Sequence, residues 1–280
     1  MDNCLIVYNT YKEESQELAK SIQVYLKGKN IFSSLLEFNG FSSFYPFTSY
    51  DFVITLGGDG TVLFACRGCA SLGIPVFPVN LGEFGFIAGI QKNEWKESLD
   101  RYLEGNLAIE KRSLLSYSVI RAGAEIISGC GLNDIVVCSK SPARAISFDL
   151  ACNQISLGQC KADGIIAASS TGSTAYSVSA GGPIVDPELD AIVLTPINPF
   201  SLSMRPLIIN ANSELSVRII PSREKCVNLT VDGQMPYELV ANDIIKITRL
   251  EKPALLVGTS KENFYNALRF KLNWSGGPHA

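Results

Sequence analysis

A chain of 280 residues, 46% of them apolar and 18% charged, has the material for two packed domains. Its formal net charge of -3 argues against a broad basic face for nucleic acid, and no apolar run is long enough to span a bilayer. The single histidine, His279, stands next to the C-terminal residue, so proton transfer falls to Asp, Glu, Lys, Tyr or Cys, and a His-based triad or metal site is not expected.

The opening MDNCLIVYNT has neither a basic segment nor a small-residue cleavage site, and a cytoplasmic protein is expected. CLIVY (4–8) reads as a buried strand, and residues 13–27 put Leu18, Ile22, Tyr25 and Leu26 at helical spacing. Strands over 31–38 and 51–56 follow, then a helix over 61–72 directly after a glycine turn. A strand over 74–80 and a helix over 93–105, closed by glycine, complete the run. This alternation predicts an α/β N-terminal domain, a Rossmann-like parallel sheet with helices on its faces.

From about residue 107 the texture changes. Short alternating segments such as LLSYSVI, DIVVC, AISFDLACN, SELSVRII and DIIKITR, separated by turn residues, predict an all-β, sandwich-like C-terminal domain in which only 171–182 looks helical. A last helix over 261–274 is expected to pack back on the first domain. The expected domains are residues 1–105 with 255–280, and 106–254. The eight cysteines, at 4, 66, 69, 130, 138, 152, 160 and 226, read as reduced thiols packed as small hydrophobes. Cys66 and Cys69 form a C-x-x-C without a second pair or a usable histidine to complete a zinc site.

LGGDGT (56–61) fails both familiar phosphate templates. Leu63 stands where G-x-G-x-x-G needs its third glycine, and the chain has no G-K-[ST]. Glycines after a strand still let backbone N–H groups and a helix start approach phosphate oxygens. Between Gly58 and Gly60, Asp59 then suits an acid that takes the proton of a hydroxyl attacking a phosphate. The alternative is a plain tight Asp-Gly turn.

KADGIIAASSTGSTAYSVSAGGPIVDP (161–187) repeats the vocabulary with Lys161, Asp163 and a hydroxyl-rich turn that runs into Thr174, Ala175, Tyr176, Ser177 and Ser179. Hydroxyls and free N–H groups at a helix start can bind a nucleotide's polar edges, and Tyr176 can stack on a base. The plainer alternatives are a capped helix and a core tyrosine. On residues alone, Asn133-Asp134 is a turn before IVVC, and Arg144 and Lys161 are equally consistent with solvated charges. Gly82, Gly85 and Gly89 mark a loop that could cover phosphates.

GGDGT, NLGEFGFIA, LND, DG..AASSTGSTAYS.SAGGPIV, TPI.P.SLS.RPLII and VDGQ follow one another over roughly residues 50–235, and in order and spacing they resemble the NAD kinase family. The resemblance implies transfer of the ATP γ-phosphate to the 2′-hydroxyl of the adenosine ribose of NAD. It makes Asp59 the proton acceptor with Gly60 beside it, and Asn133 and Asp134 a ligand-binding pair. Arg144, Lys161 and Asp163 become further nucleotide contacts, Thr174 to Ser179 the adenine pocket with Tyr176 stacking, and Gln234 a contact from the β domain. It also implies the substrates ATP and NAD and a homo-oligomer (dimer or tetramer); a divalent cation, Mg²⁺, is expected as in other phosphoryl transfers, and charge and hydropathy lead to no nucleic-acid or membrane partner. Three positions depart from the family's usual residues: Asp134 for glutamate, Ser170 for proline and Phe200 for histidine. Two alternatives stand beside this expectation: a lipid or sugar kinase of the GGDG superfamily, and a non-catalytic NAD(P) sensor.

Overall fold

β1 (Asn3–Asn9) carries apolar side chains on both faces and is buried through its centre, as a strand of a sheet covered on both sides must be. The computed structural model describes residues 1–42, 44–82, 85–141, 144–222, 226–234 and 236–274; His279 lies outside the described residues. After β1, α1 (Glu13–Gly28) buries Leu18, Ala19, Ile22 and Leu26 and runs into a left-handed Asn30 (φ 61°). The N–H groups of Asn30 and Ile31 donate to the carbonyls of Lys27 and Leu26 at 3.1 and 3.0 Å. This Schellman closure turns the chain into β2 (Phe32–Phe38).

β3 (Phe52–Gly57), α2 (Asp59–Cys69), β4 (Pro75–Asn80), the short β5 (Ile90–Gln91), α3 (Trp95–Leu103) and β6 (Ile109–Arg112) complete the first stretch. In space the order is β2-β1-β3-β4, all parallel. The chain leaves β1 in one direction and β3 in the other, so right-handed crossovers put α1 and α2 on opposite faces. The carboxyl ends of β1 and β3 therefore flank the crevice where open α/β sheets bind ligands. Cys4, Ile6 and Tyr8 with Phe52, Ile54 and Leu56 form the core under α1 and α3. On the α2 side Phe64 stacks on Phe38, ring centroids 4.6 Å apart. Cys66 and Cys69 are both buried in α2. Burial, and then the neighbouring Cys66, pushes the Cys69 thiol up, so it stays protonated and poor as nucleophile or ligand.

The second stretch contains β7 (Leu115–Arg121), β8 (Ala124–Gly131), β9 (Asp134–Ser139), β10 (Ile146–Cys152), β11 (Ile155–Ala162), β12 (Gly164–Ser169), the one-turn α4 (Tyr176–Ser179) and β13 (Ala191–Ile197). It ends with β14 (Leu207–Asn210), β15 (Leu215–Ile219), β16 (Val227–Val231), β17 (Tyr237–Leu239) and β18 (Ile244–Arg249). Two antiparallel sheets result, β11-β10-β15-β18-β7-β8 and β14-β13-β12-β9-β16-β17. Their facing side chains make one core, among them Phe148, Val217, Ile245, Ile135, Ile165 and Ala167. The outer face of the second sheet is apolar too: Ile166, Ala168 and Val193 pack under Val185. β19 (Ala254–Val257) then returns to pair with β4 in parallel. α5 (Lys261–Lys271), capped by Ser260 Oγ, packs Phe264 against Phe86. The chain divides into two compact units, Met1–Lys111 with Pro253–Ala280, and Arg112–Lys252.

The expected α/β and antiparallel β layers are present. The expected helix over 171–182 is not continuous: a 3-10 turn at Thr171–Thr174 is separated from α4 by Ala175 at φ -94°, ψ -125°. The hydroxyls explain the break. Ser173 Oγ donates to Ser170 O at 2.7 Å and Thr174 Oγ1 to Thr171 O at 3.2 Å, local bonds that compete with a helical ladder.

Candidate active site

In the first unit, Asp59 is not the corner of a tight turn but the first residue of α2, with Gly58 as an extended N-cap (φ -106°, ψ -169°). No side chain caps this helix start, so its first N–H groups keep their anion-attracting character. Gly57 is needed for the close approach: a Cβ there would lie 2.3 Å from Thr61 Oγ1. The Asp59 carboxylate is half-buried and receives three backbone N–H groups. Phe86 donates to Oδ2 at 3.1 Å, and Ile87 and Ala88 donate to Oδ1 at 3.3 and 3.2 Å. Gly85 makes this possible, because a Cβ on it would stand 2.3 Å from Asp59 Oδ1. The glycine-marked loop thus closes on the acid itself. Gly60 is exposed on the first turn of α2.

In the second unit, Asn133 lies between β8 and β9, and Asp134 is the first residue of β9. The TGST turn packs on Asn133: Ser169 N–H donates to Asn133 O at 2.8 Å, and a Cβ on Gly172 would lie 1.9 Å from that oxygen. Asp134 is only 5% exposed, and the Tyr176 N–H hydrogen-bonds its carboxylate. Burial first, and then the charge of Asp232, pushes the Asp134 carboxyl up to about 7. Tyr176 is 46% exposed, its ring open to a stacking partner. Its hydroxyl is pushed up by burial and then by Cys138, Asp134 and Asp163, so Tyr176, Asp134 and Asp163 share one locality. Asp163 Oδ2 accepts from Asn198 Nδ2 at 3.1 Å. Two buried atoms here, Asn133 Oδ1 and Thr171 Oγ1, have no hydrogen-bond partner among the described residues, an arrangement that a polar ligand relieves.

The remaining expected residues divide. Ser177 is fully buried and its hydroxyl bonds Thr195 Oγ1 at 2.7 Å, which makes it a support for α4. Thr174 uses its hydroxyl on its own turn. Ala175 is half-buried and Ser179 exposed. Arg144 is exposed ahead of β10. Lys161 is exposed on β11 with its ammonium 5.0 Å from the ring centroid of Phe200, which is itself 79% exposed. Gln234 N–H closes a turn on Val231 O at 2.9 Å. Ser170, where the family usually has proline, is buried and pins its turn by donating to Leu189 O. Sequence reasoning passed over Asp232, whose side chain acts on Leu132–Asp134; the Asp-Gly of VDGQ was its only local signal.

Comparison with known proteins adds to this geometry. Residues 42–107 match the family model for the ATP-NAD kinase N-terminal domain, and 132–259 that for the ATP-NAD kinase C-terminal domain. The NAD kinase of Treponema denticola is 44% identical over 277 residues, spanning 99% of this chain and 98% of that protein. The chain belongs to the NAD kinase family. The NAD kinase of Treponema pallidum (strain Nichols) is 40% identical over 273 residues, 97% of this chain and 90% of that protein. The crystal structure of yeast NADH kinase complexed with NADH has the same fold, with a TM-score of 0.89 over 99% of this chain and 89% of that one, at 24% identity. An NAD kinase from Archaeoglobus fulgidus in complex with ATP superimposes with a TM-score of 0.76 at 26% identity, covering 94% of this chain and 96% of that one.

As an NAD kinase, the protein should be sensitive to any side chain at Gly172. Gly172→Ala must push the TGST turn off the Asn133 carbonyl, and overpacking of this kind costs about 1–3 kcal/mol. Thermal unfolding is expected to show that loss, and calorimetry a weakened affinity for NAD. An alanine variant as stable as the parent would show that the turn shifts without penalty.

Proposed function

We propose that the enzyme transfers the γ-phosphate of ATP to the 2′-hydroxyl of the adenosine ribose of NAD, with Asp59 taking the hydroxyl proton. The observation that carries this reading is the Asp59 carboxylate, fixed by three N–H donors at the start of α2. A carboxylate has two acceptor positions on each oxygen, and Oδ2 receives one of the three bonds. Its second position suits a hydroxyl that gives up its proton as its oxygen attacks phosphorus. The uncapped first turn of α2 offers N–H groups to the donor's phosphates.

Asn133, Asp134, Asp163 and Tyr176 are the NAD-holding set, with amide, carboxyl and ring surfaces suited to ribose hydroxyls and adenine. Arg144, Lys161 and Gln234 are further contacts in this reading. The divalent cation, Mg²⁺, enters with ATP. Among the described residues no three His, Cys, Asp or Glu side chains gather to hold a metal. When bound it supplies charge neutralisation at the transferred phosphate.

Incubation with ATP, NAD and Mg²⁺, read by an NADP-specific dehydrogenase, is expected to give NADP. Binding of NAD without NADP formation would point to a sensor, and phosphorylation of diacylglycerol or a sugar in its place would point to another GGDG kinase. A cytoplasmic homo-oligomer, dimer or tetramer, goes with this reading. The exposed Leu207 and Ile208 on edge strand β14 offer a surface for a second copy, which light scattering of the purified chain checks.

A further inference from the structure

Asp232 lies 98 residues along the chain from Asp134, yet its carboxylate accepts the backbone N–H groups of Leu132, Asn133 and Asp134 at 3.0, 2.7 and 3.1 Å. A return bond runs from Asp232 N–H to Asp134 O at 3.0 Å. Asp232 (φ 49°) and Gly233 (φ 66°) form the corner between β16 and β17, closed by Gln234 N–H on Val231 O. Two consecutive positive φ values and that closing bond are the pattern of a type I′ turn, which Asn-Gly serves as well as Asp-Gly. The turn therefore does not ask for an acid. The three converging N–H groups do, because an asparagine would turn its own N–H₂ toward one of them.

The charge so placed stands next to Asp134. Asp134 is held by β9, with Asp232 on the β16–β17 side and the Tyr176 N–H on the α4 side. Around the Tyr176 hydroxyl are Cys138 and Asp163, and among the described residues the groups acting on Asp134 are Asp232 and the Tyr176 backbone. Aspartate at 134, one methylene shorter than the glutamate usual in the family, keeps its carboxyl close to the backbone that Asp232 grips.

We propose that Asp232 is a positioning residue for NAD, holding the Leu132–Asp134 backbone in place and, through its charge beside Asp134, making NAD binding depend on pH. This rests on Asn133 and Asp134 being NAD contacts. Ionised, Asp134 accepts from sugar hydroxyls with every remaining lone pair; protonated, it loses acceptor capacity. NAD binding strengthens as pH rises through neutrality.

The test is the dissociation constant of NAD, measured calorimetrically without ATP over a range of about pH 5.5 to 9, with kcat alongside. The parent enzyme is expected to bind more tightly with rising pH, with an inflection near about 7. Asp232→Asn should weaken binding at high pH by roughly tenfold and move the inflection toward acid by about one pH unit, while kcat at saturating NAD changes far less. Asp232→Glu, which keeps the charge, should retain the inflection with weakened affinity. Asp134→Asn should abolish the inflection. If Asp232→Asn leaves the inflection in place while Asp134→Asn removes it, the role of Asp232 is overturned and Asp134 stands as a contact. An inflection that survives Asp134→Asn overturns the assignment of Asp134, and the proposal with it. Should Asp232→Asn fail to fold, Asp232→Glu decides, and parental affinity at every pH overturns the proposal.

Discussion

Asp59→Asn is expected to lower kcat by about 10²–10⁴, the range of a lost general base, while the dissociation constant for NAD changes much less. Stopped turnover and equilibrium NAD binding measured on the same preparation check it. The structure adds a qualification to the simple loss of a base. Asp59 also receives three N–H groups from residues 86–88, and asparagine keeps one carbonyl oxygen for them while turning an N–H₂ toward the third. Some loosening of that loop should therefore accompany the loss of turnover. Asp59→Glu separates the two effects: it keeps a base but displaces it, and it should recover little activity because alignment governs phosphoryl transfer. Near-normal kcat in Asp59→Asn would remove Asp59 from the chemistry.

Asp134→Asn should do the reverse to stability and to function. The Asp134 carboxyl is raised from 3.8 to about 7, so the folded chain holds a proton that the unfolded chain has released between those values. Its stabilising contribution is complete below about pH 4, declines as pH rises, and is lost through about pH 7. At pH 8 the parent carries a buried charge beside Asp232, and the asparagine variant does not. The variant is expected to be more stable there by an amount on the order of a few kcal/mol, and close to the parent in acid. Its amide oxygen can still accept from Tyr176 N–H, but NAD affinity at pH 8 should fall by roughly tenfold or more, as is common where a site is strained for use. Thermal unfolding at the two pH values, with NAD titration, reads both. A variant less stable than the parent at pH 8 would contradict the buried-charge account.

Where short-range pattern decides structure, the sequence is transparent. CLIVY and DFVITL are apolar on both faces because helices cover both faces of their sheet, and the alternation in AISFDLACN and SELSVRII gives strands with one buried face. The acid in LGGDGT was also visible as out of place. Its partners were not, because Phe86, Ile87 and Ala88 meet it only once the loop has folded back over 27 to 29 residues. Asp232 was hidden for the same reason at greater range. Ser177 shows the opposite limit: in TAYS it counts as one more ligand hydroxyl, and in space that hydroxyl faces Thr195. The helix over 171–182 failed because a run of Ser, Thr and Gly satisfies its own carbonyls, a preference that apolar spacing does not report.

The two thiols of α2 have a practical use. Cys69 is buried in the helix that begins at Asp59, and its thiol is held protonated, so an alkylating reagent reaches it when that helix opens. The labelling rate of the 59–69 peptide, followed by mass spectrometry, is therefore a clock for how often the segment bearing the base comes loose. Run with and without each nucleotide, the same clock gives the order in which the two substrates tighten the enzyme.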